Sequence, residues 1–245
     1  MQVSFFEEYP TKKNLSKLKL IKFPTKLYIA AKSVEEFNKI NLTSEFVKEK
    51  IYWPILTKKE GYWISPFTER KALLRTLKDI GKKRMPIMID SELPTHPNPL
   101  LYLTQGYNFF RNRKLIRDFV SRRRNIYTAE YFPASHLSEY LFRFLGLSFK
   151  GENHYPIKMI YSSMHDLGES YTKKIIKKSQ KYYGKRLRLA LGTLGHGILG
   201  NEPTISNDLL KRDLLIAKEL GVKEVILFRL GGLQKHHIEI IETIK

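Results

Sequence analysis

Short apolar runs that end in polar residues alternate with longer stretches whose apolar positions recur every three or four residues, repeating about every 30 residues. Eight runs read as strands: VSFFEEY (3–9), KLYIAAK (26–32), GYWISPF (61–67), MPIMIDSEL (85–93), NIYTAEYF (125–132), IKMIYSS (157–163), RLRLALGTL (186–194) and EVILFRL (224–230). Most are too apolar to leave one face in water, as expected of parallel strands covered on both sides.

The stretches between them read as amphipathic helices. In TERKALLRTLKDIG, Thr68 can cap the first turn, Leu73, Leu74, Leu77 and Ile80 form an apolar stripe, and Gly81 ends it. NDLLKRDLLIAKELG repeats the design, with Asn207 or Asp208 as cap, Leu210, Leu214 and the 216–220 turn buried, and Gly221 set for a left-handed C-cap. Eight strand–helix units that begin at residue 3 and finish in a helix describe a single closed (β/α)8 TIM-type barrel over residues 1–245, with an open doubly wound parallel sheet as the alternative. Neither GxGxxG after the first strand nor GxxxxGK[ST] occurs, so the usual dinucleotide and triphosphate signatures are missing. The Pro-rich 94–99 stretch reads as a long loop after the fourth strand.

Composition narrows the classes. The chain has 42% hydrophobic and 28% charged residues, an ordinary globular balance. It lacks cysteine, which excludes disulfides, thiolate-bound zinc, iron–sulfur clusters and cysteine nucleophiles. The opening MQVSFFEEYP has no basic segment followed by an apolar one, and no 18-residue apolar stretch occurs, so a cytoplasmic protein that is not secreted and has no membrane partner is expected. A formal charge of +20 attracts phosphate backbones or anionic surfaces, although interspersed Lys and Glu also suit solvated helix faces or heat adaptation.

In a barrel, chemistry gathers where strands end. Glu7 and Glu8 end the first run, Trp63 and Ser65 the third, Asp90 and Glu92 the fourth, Glu130 and Tyr131 the fifth, Tyr161 and Ser162 the sixth and Arg229 the eighth. The two-residue strand period puts Asp90 and Glu92 on one face and Ser91 on the other. Crowded carboxylates raise each other's proton affinity, so one can act as a general acid while its neighbour stays charged. The plain structural role is also open: both can accept hydrogen bonds from Arg229 or a tyrosine at a strand end.

MIDSE resembles the end of the fourth-strand motif DxxDxDxE of the chitinase-type (family eighteen) glycoside hydrolases, its Asp-x-Glu falling on Asp90 and Glu92. MIYS, Met159 to Ser162, is similar to the MxYD of that family's sixth strand. The resemblance implies Glu92 as the acid that protonates the glycosidic oxygen, Asp90 as the group orienting a 2-acetamido nucleophile of the substrate, and Tyr161 as a steadying group. The chain departs from the pattern at Met85 and Met88, which stand where the family has Asp, at Ser162, and at Arg229 in place of the usual Trp.

The reading that follows is a carbohydrate-active hydrolase with Glu92, Asp90, Tyr161 and Glu130 as catalytic candidates. Glu8, Trp63, Ser65, Tyr131 and Arg229 are substrate-binding candidates, and aromatic faces such as Trp63 could stack on sugar rings. Glu7, Glu8, Glu130 or Glu202 could supply a second carboxylate. Three alternatives stay open. The glycines of GTLGHG and RLGG with Arg229 suit a phosphosugar-handling barrel. Asp90, Glu92, Glu130 and a loop histidine such as His165, or any of His96, His136, His154 and His196, suit a divalent metal in an isomerase- or endonuclease-like site, though no spacing demands a metal or other cofactor. The basic segments 111–124 and 172–188 suit nucleic acid, the first as a helix burying Leu115, Ile116 and Phe119. His236 and His237 read as surface residues at the start of the last helix.

Overall fold

The computed structural model describes all residues except 82, 97, 133–134, 150–153 and 166, together with the side chain of His136. Pro97 of the 94–99 loop and the imidazole of His136 therefore lie outside the described residues. Eight parallel strands close into a barrel in sequence order: β1 (Gln2–Glu7), β2 (Thr25–Ala31), β3 (Val47–Pro54), β4 (Ile87–Asp90), β5 (Ile126–Tyr131), β6 (His154–Ile160), β7 (Arg188–Thr193) and β8 (Glu224–Phe228). Helices alternate with them: α1 (Lys12–Leu15), α2 (Val34–Lys39), α3 (Arg70–Ile80), α4 (Leu101–Thr104), α5 (Phe109–Arg122), α6 (His136–Phe144), α7 (Glu169–Tyr183), α8 (Asn207–Glu219) and α9 (Lys235–Ile244). This is the (β/α)8 architecture, and the open-sheet alternative falls with the pairing of β1 and β8 from Gln2↔Glu224 to Phe6↔Phe228. Among the described residues no helix is long and apolar enough to cross a membrane.

By contact density the chain forms two compact units. The first comprises Met1–Ala30, Ile40–Ile51 and Ile157–Lys245. Its strands are buried on both sides: Phe5, Leu27, Leu189 and Val225 are fully enclosed. Alternate residues meet on the other face, where the Phe6 ring lies 5.2 Å from Tyr28 and 6.3 Å from Phe228. At the start of β8, buried Glu224 accepts from Ser4 at 2.7 Å, Tyr28 at 3.1 Å and Arg188 at 3.0 Å, and Lys26 bridges to Glu49 at 3.0 Å. These charges close the end of the barrel where the strands begin, the end associated with stability.

The second unit comprises Ala31–Lys39 and Tyr52–Pro156. Here β4 is the centre: it pairs with β3 at Tyr52↔Ile87 and with β5 from Ile87↔Ile126 to Asp90↔Ala129.

The third strand corrects the expectation drawn from GYWISPF. It is VKEKIYWP, and 61–67 is a buried loop. Gly61 at φ +114° and Tyr62 at φ +60° turn the backbone into a region strands do not use. Charge hid the true strand. Glu49 is held by Lys26 and the Lys50 ammonium donates to the Ile40 carbonyl at 2.9 Å, so a polar VKEK segment is ordered before the apolar IYWP.

Three local readings shift by a residue or a face. Glu69, not Thr68, caps α3 by accepting from the Lys71 and Ala72 amides, whereas the Thr68 hydroxyl binds the Ser65 amide and the Trp63 carbonyl; Leu74 is exposed. Ser206 caps α8 instead of Asn207 or Asp208. On α5 the buried stripe is Phe109, Asn112, Ile116 and Val120, leaving Leu115 and Phe119 half-buried, because Asn112 reaches inward to the Pro66 and Thr68 carbonyls.

Candidate functional site

β4 ends at Asp90. Asp90 pairs with Ala129, the Ser91 amide continues to the Ala129 carbonyl at 3.0 Å, and the Asp90 carbonyl accepts from the Ile64 amide at 2.9 Å. The strand end is thus pinned on both sides, which fixes the direction of the Asp90 carboxylate and of the chain that carries Glu92. Asp90 and Ser91 are buried, and Glu92 is partly open to solvent.

Glu92 is the centre of this cluster. Its Oε2 accepts from the Tyr131 hydroxyl at 3.2 Å, and its carboxyl also hydrogen-bonds Asp90. Dense protein packing around the carboxyl pushes its pKa up to about 7, against the opposing pull of the Tyr131 and Asp90 hydrogen bonds. Burial, then the Glu92 charge, raises the Tyr131 phenol well above the usual tyrosine range, so it remains a donor. The Leu93 amide hydrogen-bonds the same phenol, and the Tyr131 ring packs 5.6 Å from Phe142 of α6. Such a carboxyl can hold a proton near neutrality and release it to an acceptor, in a pair that shares a hydrogen bond with Asp90.

Glu130 does not join the pair. It follows Ala129 and precedes Tyr131, so it points to the opposite face of β5. There its Oε1 accepts from Thr128 at 2.6 Å and lies 3.9 Å from His154 Nε2. Trp63 and Ser65 lie in the loop before α3 and are buried; Trp63 packs edge-on to Tyr62 at 5.5 Å, while Ser65 Oγ accepts from the Phe67 amide. His165 is exposed. Among the described residues no group of three or more His, Asp or Glu side chains is placed to hold a metal ion.

The first unit gathers a second set of polar groups at the ends of β1, β7 and β8. Glu7 is fully enclosed: Oε1 accepts from the Tyr9 amide at 2.7 Å, Asn14 at 3.2 Å and Arg229 at 3.3 Å, and Oε2 accepts from the Gly231 amide at 2.6 Å. Burial raises the Glu7 carboxyl, partly offset by these donors. Arg229 also donates to the His196 carbonyl at 2.7 Å and stacks 4.9 Å from the Tyr9 ring. The amide and guanidinium that suggested a phosphate site are therefore already engaged by the protein's own carboxylate.

Glu8, one residue on, turns to the other face. A Cβ on Gly197 would fall 2.7 Å from Glu8 Oε2, 2.7 Å from Phe228 Cζ and 2.9 Å from Glu202 Oε1, so only glycine lets the loop after β7 approach these groups. Glu202 is buried; Oε1 accepts from the Leu199 amide at 3.1 Å, and Oε2 has no hydrogen-bond partner among the described residues. Glu8, Glu202 and Glu7 add to burial in raising the Tyr9 phenol to about 12. Tyr161 stands half-buried after β6, its ring 6.5 Å from Phe228. Ser162 donates to buried Asp213 of α8, which Arg212 also holds at 2.7 Å. Sequence reasoning weighed His196 only as a metal ligand and missed Tyr9 and Phe228; the signal pointing to them is the Gly-His-Gly triplet ending at Gly197.

The remaining expectations resolve simply. Arg111, Lys114 and Arg117 of α5 and Lys174, Lys177 and Lys181 of α7 project into solvent. His237 is buried, not at the surface: its Nδ1 accepts from the Gln234 amide at 3.2 Å to cap α9, and burial with neighbouring His236 lowers its pKa to about 4.

No family model matches the chain, and no curated protein sequence matches it. Solved structures do. A GH18 chitinase from Pseudoalteromonas aurantia superposes with a TM-score of 0.56 at 6% identity, covering 100% of both chains. A D-tagatose 3-epimerase-like protein gives 0.49 at 10% identity, over 100% of this chain and 96% of the other. Bee venom hyaluronidase gives 0.47 at 11% identity, again over 100% and 96%. The likeness to the chitinase is one of fold.

Proposed function

We propose that the protein is a carbohydrate-active hydrolase in which Glu92 is the general acid and Asp90 its electrostatic, hydrogen-bonded partner. The observation that carries this reading is the Glu92 carboxyl itself: hydrogen-bonded to Tyr131 and Asp90, and raised to about 7 by burial at the C-terminal end of a barrel strand. In the bond-breaking step the protonated Glu92 gives its proton to the glycosidic oxygen. The charge left on it is met by the Tyr131 hydroxyl. Asp90, on the same strand face, accepts a hydrogen bond from the substrate.

Glu130 faces away and Asp90 is hydrogen-bonded to the acid, so neither serves well as the second carboxylate of a double displacement. A nucleophile carried by the substrate fits this cluster better, and a 2-acetamido group has the necessary carbonyl oxygen. The fold likeness to a chitinase and the Asp-x-Glu spacing are consistent with that substrate class. Paired aryl glycosides differing only in 2-acetamido or 2-hydroxyl substitution test it. The acetamido member should be hydrolysed at least about 100-fold faster; equal rates would argue for a nucleophile on the protein.

A further inference from the structure

Large apolar side chains stand in water along two adjoining segments. On the stretch from α4 into α5, Leu103, Tyr107 and Phe110 are 80%, 77% and 67% exposed, spaced four and three residues apart. On α6, Leu137, Tyr140 and Leu141 are 77%, 72% and 48% exposed at the same helical period. The two stripes meet through buried Phe109, which contacts Phe110 at 5.1 Å and Phe144 of α6 at 6.0 Å. Isolated exposed leucines need no explanation, but an apolar surface of this extent marks an interaction face.

Charge selects the partner. From Leu93 to Arg117 there is no Asp or Glu, while Arg111, Arg113, Lys114 and Arg117 lie on α5. On α6, Glu139 is buried, paired with Arg143 at 3.0 Å and accepting from the Ser148 hydroxyl at 2.8 Å. The face is therefore apolar with a basic border. A second copy would bring the same positive border and another +20 of charge against it, which opposes pairing. A surface of anionic lipid satisfies both features: Leu, Tyr and Phe enter the headgroup boundary, and Arg and Lys bind phosphates.

We propose that the face formed by α4, the start of α5 and α6 docks the protein on an anionic lipid bilayer. Docking holds the candidate acid beside the surface, since the Thr95 and Tyr102 hydroxyls, 2.6 Å apart, tie the loop after Glu92 to α4, and Phe142 ties α6 to Tyr131. The proposal stands whether or not Glu92 is catalytic.

The test is sedimentation of the full chain with vesicles of phosphatidylglycerol and phosphatidylcholine, or of phosphatidylcholine alone, with the triple variant Leu103→Ser, Tyr107→Ser, Phe110→Ser in parallel. These side chains are exposed, so the variant should keep the wild-type melting temperature. Binding at least about tenfold tighter to the anionic vesicles, and at least about tenfold weaker for the variant, is expected. Absence of binding, or equal binding by the variant, overturns the proposal. So does light scattering that shows a wild-type dimer which the variant dissolves while vesicles bind neither form.

Discussion

The Tyr131 hydroxyl donates to Glu92 Oε2 across 3.2 Å, joining the end of β5 to the residue just beyond β4. This bond favours the charged carboxylate and so opposes the burial that raises the Glu92 pKa. The proton on Glu92 is thus set by burial on one side and by the Tyr131 and Asp90 hydrogen bonds on the other.

Tyr131→Phe removes one of these two bonds. With the donor gone the Glu92 pKa rises further above 7, and activity that needs protonated Glu92 should persist to higher pH. The alkaline limb of the kcat/KM profile is expected to move up by about half a unit to one unit, the scale of one hydrogen bond to a charged group. A downward shift would show that Tyr131 does not stabilise the carboxylate.

Stability should carry the same signature. The folded pKa of Glu92, about 7, lies above its ordinary 4.5, so the folded chain binds the extra proton between these values. The resulting stabilisation is complete below about pH 4.5 and is lost as pH rises through 7. Glu92→Gln cannot ionise and should gain on the order of 1 kcal/mol over wild type between pH 5 and pH 8 in urea unfolding.

Glu7 is expected to matter for folding. Glu7→Ala leaves the partly buried Arg229 guanidinium and Gly231 amide without their carboxylate, and a loss of roughly 1–3 kcal/mol is expected, read by denaturant midpoint. Because Glu7 already fills the position an anion would take, inorganic phosphate should leave the wild-type melting temperature unchanged.

Gly197→Ala tests the crowding around Glu8 and Glu202. Its Cβ would press on two carboxylates and the Phe228 ring. A destabilisation of about 1–3 kcal/mol is expected from overpacking, measured by thermal unfolding.

Most of the barrel was legible because its strands are apolar runs bounded by polar ends, as in MIDSE, where the period of two also placed Asp90 and Glu92 together. What escaped was ordered by partners far away in sequence. The VKEK half of β3 reads as solvated until Lys26 and the Ile40 carbonyl are in place. Glu130 and Tyr131 both end β5, and only the position of Glu92 tells which of them meets it. Arg229 reads as an open anion site until Glu7, 222 residues away, is seen to occupy it.

The role of Glu92 is read most directly from turnover of an N-acetylated oligosaccharide, whose sugar leaving group needs a proton, by wild type and Glu92→Gln between pH 5 and 9. The wild-type rate should fall above about pH 7, and the variant should lose roughly 100- to 10,000-fold with no alkaline limb. Turnover by Glu92→Gln at the wild-type rate, or a wild-type rate that does not change through pH 7, would contradict the assignment of Glu92 as the acid.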